Sequence, residues 1–285
     1  MSSAAVLDAA VLLEHPSGST ARVTRHGAQV VSWTDAAGRE RLYLSRDTRA
    51  GADASIRGGV PVIFPQFGTG PLPKHGFVRT RDWSLVAHLP TRATFRIADD
   101  DVSRALWPHR WTVELHVELH VELSDALVVR MHVRNTGDAQ FAFTAALHNY
   151  FLVDDVASSA IRGLGGVHYR DKTVATTAGS TPSDASEVQR DAELVIAGET
   201  DRVYVGGPRS VSIEQAIDMS NTHVAAEGFG DWVVWNPWRD AAAALGDMPP
   251  DDYRHFVCVE AARVESPIVL APGAEWTGTE TMTVT

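Results

Sequence analysis

The sequence predicts an all-β protein folded as one large domain, and three observations carry that expectation. Stretches of apolar–polar alternation recur along the chain, glycine and proline punctuate them at short intervals, and no long amphipathic helix interrupts them. With 285 residues and 44% hydrophobic content, the chain can bury a large core undivided, as big all-β folds do. It shows no internal repeat and no linker-like stretch, so a single domain over residues 1–285 is expected, with residues 1–20 less ordered.

The N-terminal stretch MSSAAVLDAAVLLEHPSGS carries Asp8 and lacks both a basic leader and a long uncharged run, so neither export nor a membrane span is expected. Residues Ala21 to Arg25 alternate, Gly27 marks a turn, and Val30 to Trp33 reads as the next strand. Ala36 to Glu40 reads as a polar hairpin turn leading into a Leu42-Tyr43-Leu44 strand. In residues 57–83, RGGVPVIFPQFGTGPLPKHGFVRTRDW, four prolines and five glycines exclude a continuous helix or central strand. The many large apolar side chains there argue against disorder, so the stretch should be an ordered, site-forming loop or else a rigid cover over one end of the fold.

The clearest strand is Trp111 to Leu123, whose odd positions are apolar and whose even positions are Thr, Glu and His. His116, Glu118 and His120 resemble metal ligands superficially, but His-x-Glu-x-His on a strand is not the HExxH helix of zinc proteases, and a solvated charged face is the plainer reading. A second alternating run, Leu127 to Val133, should pair with it through Ser124-Asp125-Ala126 and end at Asn135-Thr136-Gly137. Ser180 to Glu187 reads as loop, and Asp201 to Tyr204 opens another strand. Trp232, Trp235 and Trp238 gather around Pro237, either as indole faces for a sugar ring or as ordinary packing. Ile268 to Leu270, a turn at Pro272-Gly273 and Trp276 to Thr285 read as a closing hairpin.

Charge and cysteine usage narrow the function. The 36 acidic and 25 basic residues leave a formal charge of −11, which disfavours nucleic acid or an anionic membrane as partner. An anionic substrate would need locally placed arginines. The single cysteine, Cys258, cannot form an intramolecular disulfide and reads as a small buried hydrophobe, which suits a reducing, cytoplasmic setting.

Two polar residues stand out on apolar strands. In Phe256-Val257-Cys258-Val259-Glu260-Ala261-Ala262, alternation places Glu260 on one face with Phe256 and Cys258. A carboxylate in such company is hard to ionise unless paired, which is the condition for a general base working near neutrality; the alternative is a strand-end carboxylate that merely reaches water. His148 lies in FAFTAALHNYFLV, either as a hydrogen-bonded core histidine or as a catalyst. Together His75, His148, Asp201 and Glu260, with Arg57, Arg79 and Arg81 of the glycine-rich loop, would supply an acid, a base and an anion clamp.

The ordered set GAQVVSW (27–33), RGGVPVIFPQFG, KHGFVR, ALHNYF, DRVY, WNPW and FVCVEAA resembles the aldose 1-epimerase superfamily, and within it the hexose-6-phosphate mutarotase branch, over residues 21–285. The resemblance implies a large antiparallel β-sandwich of the galactose-mutarotase type, with His148 as general acid and Glu260 as general base. It further implies that Arg57 and Arg79 hold a phosphate, and that His75 and Asp201 hold sugar hydroxyls. Gly58 and Gly59 would then let the backbone approach that phosphate. The HGG signature of galactose mutarotases is absent, since Gly76-Phe77 follows His75, which argues against free galactose. Asn149, beside the acid, departs from other members and is expected to bear on sugar preference; Arg81 lies outside the matched motif.

The chemistry stands apart from the resemblance. Anomer exchange needs one base for the anomeric hydroxyl and one acid for the ring oxygen, and no metal or redox cofactor. The expected partner is a small sugar phosphate, and the expected state is a monomer or weak dimer. Two other classes remain open: a glycoside hydrolase using Asp201 or Asp247 with Glu260, and a non-catalytic sugar-phosphate-binding protein.

Overall fold

The structure is a computed structural model that describes residues 2–49, 51, 54–120, 125–174, 186–215 and 221–285. Its frame consists of two large antiparallel sheets, with eight and nine strands among the described residues, and a three-stranded sheet of Val11–Glu14, Thr20–Val23 and Val30–Thr34. Among the described residues helices are short, the α-helices covering Ser3–Asp8, Asp101–Leu106 and Trp238–Ala243. The all-β expectation holds.

The alternating strand Trp111–His120 shows why the layers form. Trp111, Val113, Leu115, Val117 and Leu119 are all buried, while Thr112, Glu114, His116 and Glu118 between them remain partly exposed. It pairs with Ala126–Asn135 in the register Trp111↔Asn135, as the pattern predicted; residues 121–124, at the expected turn, lie outside the described residues. From the other sheet, Leu147, Tyr204, Val234, Val257, Val259 and Ala261 join the same buried cluster. Each large apolar side chain so buried contributes about 1.5–3 kcal/mol. His116 and His120 do not turn inward: His116 lies against Thr94 and Glu114, and His120 against Glu118, as on a solvated face.

The eight-stranded sheet carries the candidate site. Its central members are Thr200–Tyr204, Asp231–Asn236, Phe256–Leu270 and Phe141–Leu147, in that order, with the short Val62–Ile63 at the edge. Phe256–Leu270 runs well past the seven residues singled out in the sequence, and its pairing with Phe141–Leu147 shifts register between Arg263 and Ile268. Pro267, which has no amide to donate, falls in that interval.

Two expectations fail for the same reason. Ile268 to Leu270 and the C-terminal strand Glu275–Val284 do not form a hairpin: the first stays in the eight-stranded sheet opposite Phe141–Phe143, whereas the second pairs with Ala126–Arg134 and Thr222–Glu227 in the other sheet. The Pro272-Gly273 turn therefore carries the chain between layers. Nor is Leu42 to Leu44 a continuous strand, since Leu42 and Leu44 make isolated bridges to Phe151 and Gly58. Local pattern reports a strand's faces but not its neighbours. In the N-terminal segment Ser2 caps the first helix, and Val6 and Leu13 are buried.

Candidate active site

Residues 57–83 form the ordered loop expected of them, and they do so through backbone geometry only glycine tolerates. A Cβ on Gly58 (φ +119°) would stand 2.3 Å from the Tyr43 carbonyl oxygen, and one on Gly59 (φ +61°) would stand 2.1 Å from that of Val30. These glycines thus press the loop onto residues 30–31 and 43–44, rather than opening the backbone to a ligand. Further on, His75 itself adopts a left-handed conformation (φ 64°), followed by Gly76 (φ 70°), and the turn brings the imidazole to the cleft.

The cleft has a volume of about 270 Å³ and is floored by the eight-stranded sheet. Alternation and register decide which side chains reach it. Glu260 lies opposite Val233, and Asp201 opposite Trp235, so the two carboxyl groups come from strands on either side of Asp231–Asn236. Two strand spacings across the sheet and two residues along it set their backbones roughly 12 Å apart, room for a pyranose ring between them. His148 follows the end of Phe141–Leu147, where its amide donates to the Pro61 carbonyl, and Tyr150 re-enters the sheet beside Cys258. The same period sends Val257, Val259 and Ala261 to the core on the opposite face.

At the floor, His148 Nε2 stands 3.3 Å from Glu260 Oε1, with side chains 10% and 1% exposed. Neither Glu260 oxygen has a hydrogen-bond partner. Burial, with Asp201 and, when it is ionised, Glu280 adding to the effect and Lys172 opposing them, pushes the Glu260 carboxyl well above the usual carboxylate range. Burial also pushes His148 well below its usual value, helped by His75 and the cations Arg79 and Arg57. Burial on both sides therefore favours one proton held on the pair, with neither member charged. The His148 ring stacks on Tyr150 at 5.0 Å and meets His75 and Trp235 edge-on at 5.6 and 6.0 Å.

His75 is oriented as a donor. The Gly68 amide donates to its Nδ1 at 3.3 Å, so the ring proton resides on Nε2. Burial, aided by Arg79, Lys74, Lys172 and Arg57, holds its pKa down at about 3, and the neutral ring can offer that N–H to a hydroxyl. Burial also raises Asp201, with Asp171 adding to the shift and Lys172 and Lys74 opposing it.

Positive charge rims the cleft. Arg57 gives Nε and Nη2 to Asp247 at 3.1 Å each, and Nη1 to the Tyr150 hydroxyl at 2.9 Å. Asp247 is thus committed to holding Arg57 and is not a free second carboxylate. Arg79 donates from Nη2 to the Lys74 carbonyl at 3.0 Å, while its buried Nε has no partner. Lys74 and Lys172 also line the cleft, the Lys172 ammonium lying 4.7 Å from the centre of the Phe67 ring. Sequence reasoning missed both lysines, although a signal was present: they are the only two in the chain, the other 23 Lys and Arg residues being arginine.

Of the residues singled out, the structure brings Arg57, His75, Arg79, His148, Asp201 and Glu260 together and leaves Arg81 and Asn149 out of the cleft. Arg81 pairs with Asp100 at 2.8 Å, away from this cleft. Asn149, expected to bear on sugar preference, is fully buried and points into the core, because it alternates with the cleft-facing His148 and Tyr150. The tryptophans separate likewise, Trp232 facing the core and Trp235 the cleft, while Trp238 opens a helix and packs on Tyr253.

Relatives share this arrangement of chain. A protein from Cenchrus ciliaris, provisionally named glucose-6-phosphate 1-epimerase, is 34% identical over 278 residues, covering 94% of this chain and 82% of its own. One from Escherichia coli K12 with the same provisional name is 33% identical over 263 residues, covering 88% and 82%. The crystal structure of a provisionally named mutarotase from Salmonella typhimurium superposes with a TM-score of 0.85 at 28% identity, over 96% of this chain and 89% of that one. The sequence model of the aldose 1-epimerase family matches residues 9–283, and the chain belongs to that family.

Proposed function

We propose that this protein interconverts the α and β anomers of a hexose 6-phosphate, with glucose 6-phosphate the first candidate. The observation that carries this reading is the buried His148–Glu260 pair, 3.3 Å apart, beneath a rim of Arg57, Arg79, Lys74 and Lys172. In a chain of net charge −11, that local positive rim matches a phosphate dianion. The names of the relatives point to the same substrate.

In this scheme the phosphate sits between Arg57 and Arg79, with Lys74 at hand, and the ring oxygen next to C5 faces His148. His75 Nε2–H and Asp201 hold hydroxyls. The bound dianion offsets the arginines that suppress the His148 charge, so the proton passes from Glu260 to His148 and creates base and acid together. Glu260 then takes the proton of the anomeric hydroxyl while His148 protonates the ring oxygen and the C1–O5 bond breaks. After rotation about C1–C2 the open aldehyde recloses on its other face. The ring oxygen returns its proton to His148, Glu260 gives one back to the new anomeric hydroxyl, and no proton is gained or lost. General acid and base typically contribute about 10² to 10⁴ each.

The test is NMR exchange spectroscopy on the anomers of several hexose 6-phosphates and their free sugars, with EDTA present. Faster exchange of a hexose 6-phosphate with protein is expected. Binding without acceleration would make the protein a sugar-phosphate binder, and release of a reducing sugar from a glycoside would make it a hydrolase.

A further inference from the structure

A second carboxyl group is buried directly behind the site, and the scheme above does not use it. The C-terminal strand alternates Gly278, Glu280 and Met282 with threonines 277, 279, 281 and 283, and the inward series places Glu280 at 0% exposure between the sheets. Val129 and Ala226 flank it on its own sheet. Facing it from the other sheet is Asn149, whose Nδ2 donates to Glu280 Oε1 at 2.6 Å and to the Val259 carbonyl at 2.9 Å. Both protons of one amide are thereby spent on a single bridge. It joins the residue after His148, the residue before Glu260, and the opposite layer.

We infer that Asn149 and Glu280 are positioning residues, a bridge buried between the sheets that sets the approach of His148 to Glu260 from the side away from substrate. Glu280 Oε2 and Asn149 Oδ1 are both buried without a partner. A proton on Oε2 turns one of those acceptors into the donor the other lacks. Burial raises the Glu280 carboxyl to about 8, against the pull of the Asn149 amide and the nearby Ala261 N–H, so the group is neutral at pH 7. That neutrality matters, because a charged Glu280 would add to the negative potential around Glu260. A purely apolar contact would fill this space with less desolvation cost; an amide–carboxyl bridge adds direction, and direction is what a 3.3 Å proton-transfer pair requires.

The proposal rests on the acid–base roles given to His148 and Glu260, and its test separates the two. Glu280→Gln keeps both hydrogen-bonding atoms and the neutral state; Glu280→Leu keeps approximate volume and removes the bridge. Anomer exchange of glucose 6-phosphate is expected within about threefold of the parent for Glu280→Gln. For Glu280→Leu, kcat should fall by about 10- to 100-fold, the scale seen when an outer-shell partner of a working group is lost, with KM within about threefold. The ¹⁵N resonances of the His148 ring, recorded without substrate, should be unchanged in Glu280→Gln and shifted in Glu280→Leu; this readout needs no turnover. If Glu280→Leu does not fold, Asn149→Ser, which keeps a shorter donor, is expected to show the same ring shift and loss of kcat. Unchanged His148 resonances in every folded variant that breaks the bridge, or equal damage from Glu280→Gln and Glu280→Leu, would overturn the inference. An inactive parent protein would instead refute the proposed activity while leaving the ring resonances to decide this one.

Discussion

Two histidine–glutamate pairs in this protein have the same separation, 3.3 Å, and opposite surroundings. His148 and Glu260 lie in the cleft floor with side chains 10% and 1% exposed; His120 and Glu118 lie on the outer face of the nine-stranded sheet at 50% and 32%. Solvent screens the outer pair, and such exposed pairs contribute about 0.2–1 kcal/mol. Around the inner pair, burial pushes the acid up and the histidine down, with His75, Arg79 and Arg57 adding to the shift of the histidine. Distance and residue type are the same. Environment makes the difference between a solvated surface pair and the pair proposed to move protons in the cleft.

The largest test of that contrast is to neutralise each glutamate in turn. Glu260→Gln should reduce turnover by about 10² to 10⁴, whereas Glu118→Gln should leave it unchanged within twofold. His148→Ala should lose a similar factor to Glu260→Gln, and the double variant should lose less than the product, because the two groups act as a unit. If Glu260→Gln turned over normally while folded, Asp201 would become the next base to examine.

The contrast sharpens when the cationic rim is removed. Arg57→Ala should weaken kcat/KM for a hexose 6-phosphate by about 1.5–3 kcal/mol, the range for a hydrogen bond to a charged group, and change free-glucose turnover far less. Inorganic phosphite, a dianion without a sugar, should speed free-glucose exchange in the parent protein and not in Arg57→Ala. Equal loss on both substrates would assign Arg57 to the fold.

A pH series tests the one-proton pair. Because burial lowers His148 and raises Glu260, the pair's single proton rests on Glu260, to be lost as the raised Glu260 group ionises and joined by a second as the lowered His148 gains one. The expected kcat/KM profile is flat through neutrality. It falls on the acid side only below the usual histidine range, where the pair gains a second proton, and on the alkaline side where the raised Glu260 group gives up its proton. The phosphate itself titrates near pH ~6, so a neutral sugar serves as the control. A rise centred on the ordinary carboxylate range would mean that Glu260 is solvated and the comparison wrong.

The smallest effect belongs to the outer pair. A double-mutant cycle on His120 and Glu118 should give a coupling of no more than about 1 kcal/mol, screened by added salt, with anomer exchange unaffected. A larger coupling would show that the outer face is better shielded than its exposure implies.

Much of the site was legible because strands report their faces in sequence. The period of two placed Glu260 opposite in face to Val257 and Val259, and the apolar run around His148 marked it as enclosed; both hold in the structure. The glycine- and proline-rich loop announced itself by composition. Lys74 and Lys172 lie outside the alternating strands, so no local pattern pointed to them, and only the scarcity of lysine in the chain set them apart. Glu280 was equally visible, as an acid in the apolar series of an alternating strand, yet its partner Asn149 lies 131 residues away. No local pattern connects them.

By itself the sequence determined the all-β class and the inward and outward faces of the main strands, because side-chain alternation and turn chemistry are local properties of the chain; the acid–base pair entered only as what the family resemblance implies. Only the tertiary structure decided which strands are neighbours. It turned the expected C-terminal hairpin into a crossing between layers and divided the tryptophans between core and cleft. It also set Asp247 on Arg57 and placed Glu280 behind Glu260. Pairing, burial and electrostatic coupling depend on residues far apart in the chain, and folding brings them within a few ångströms of one another.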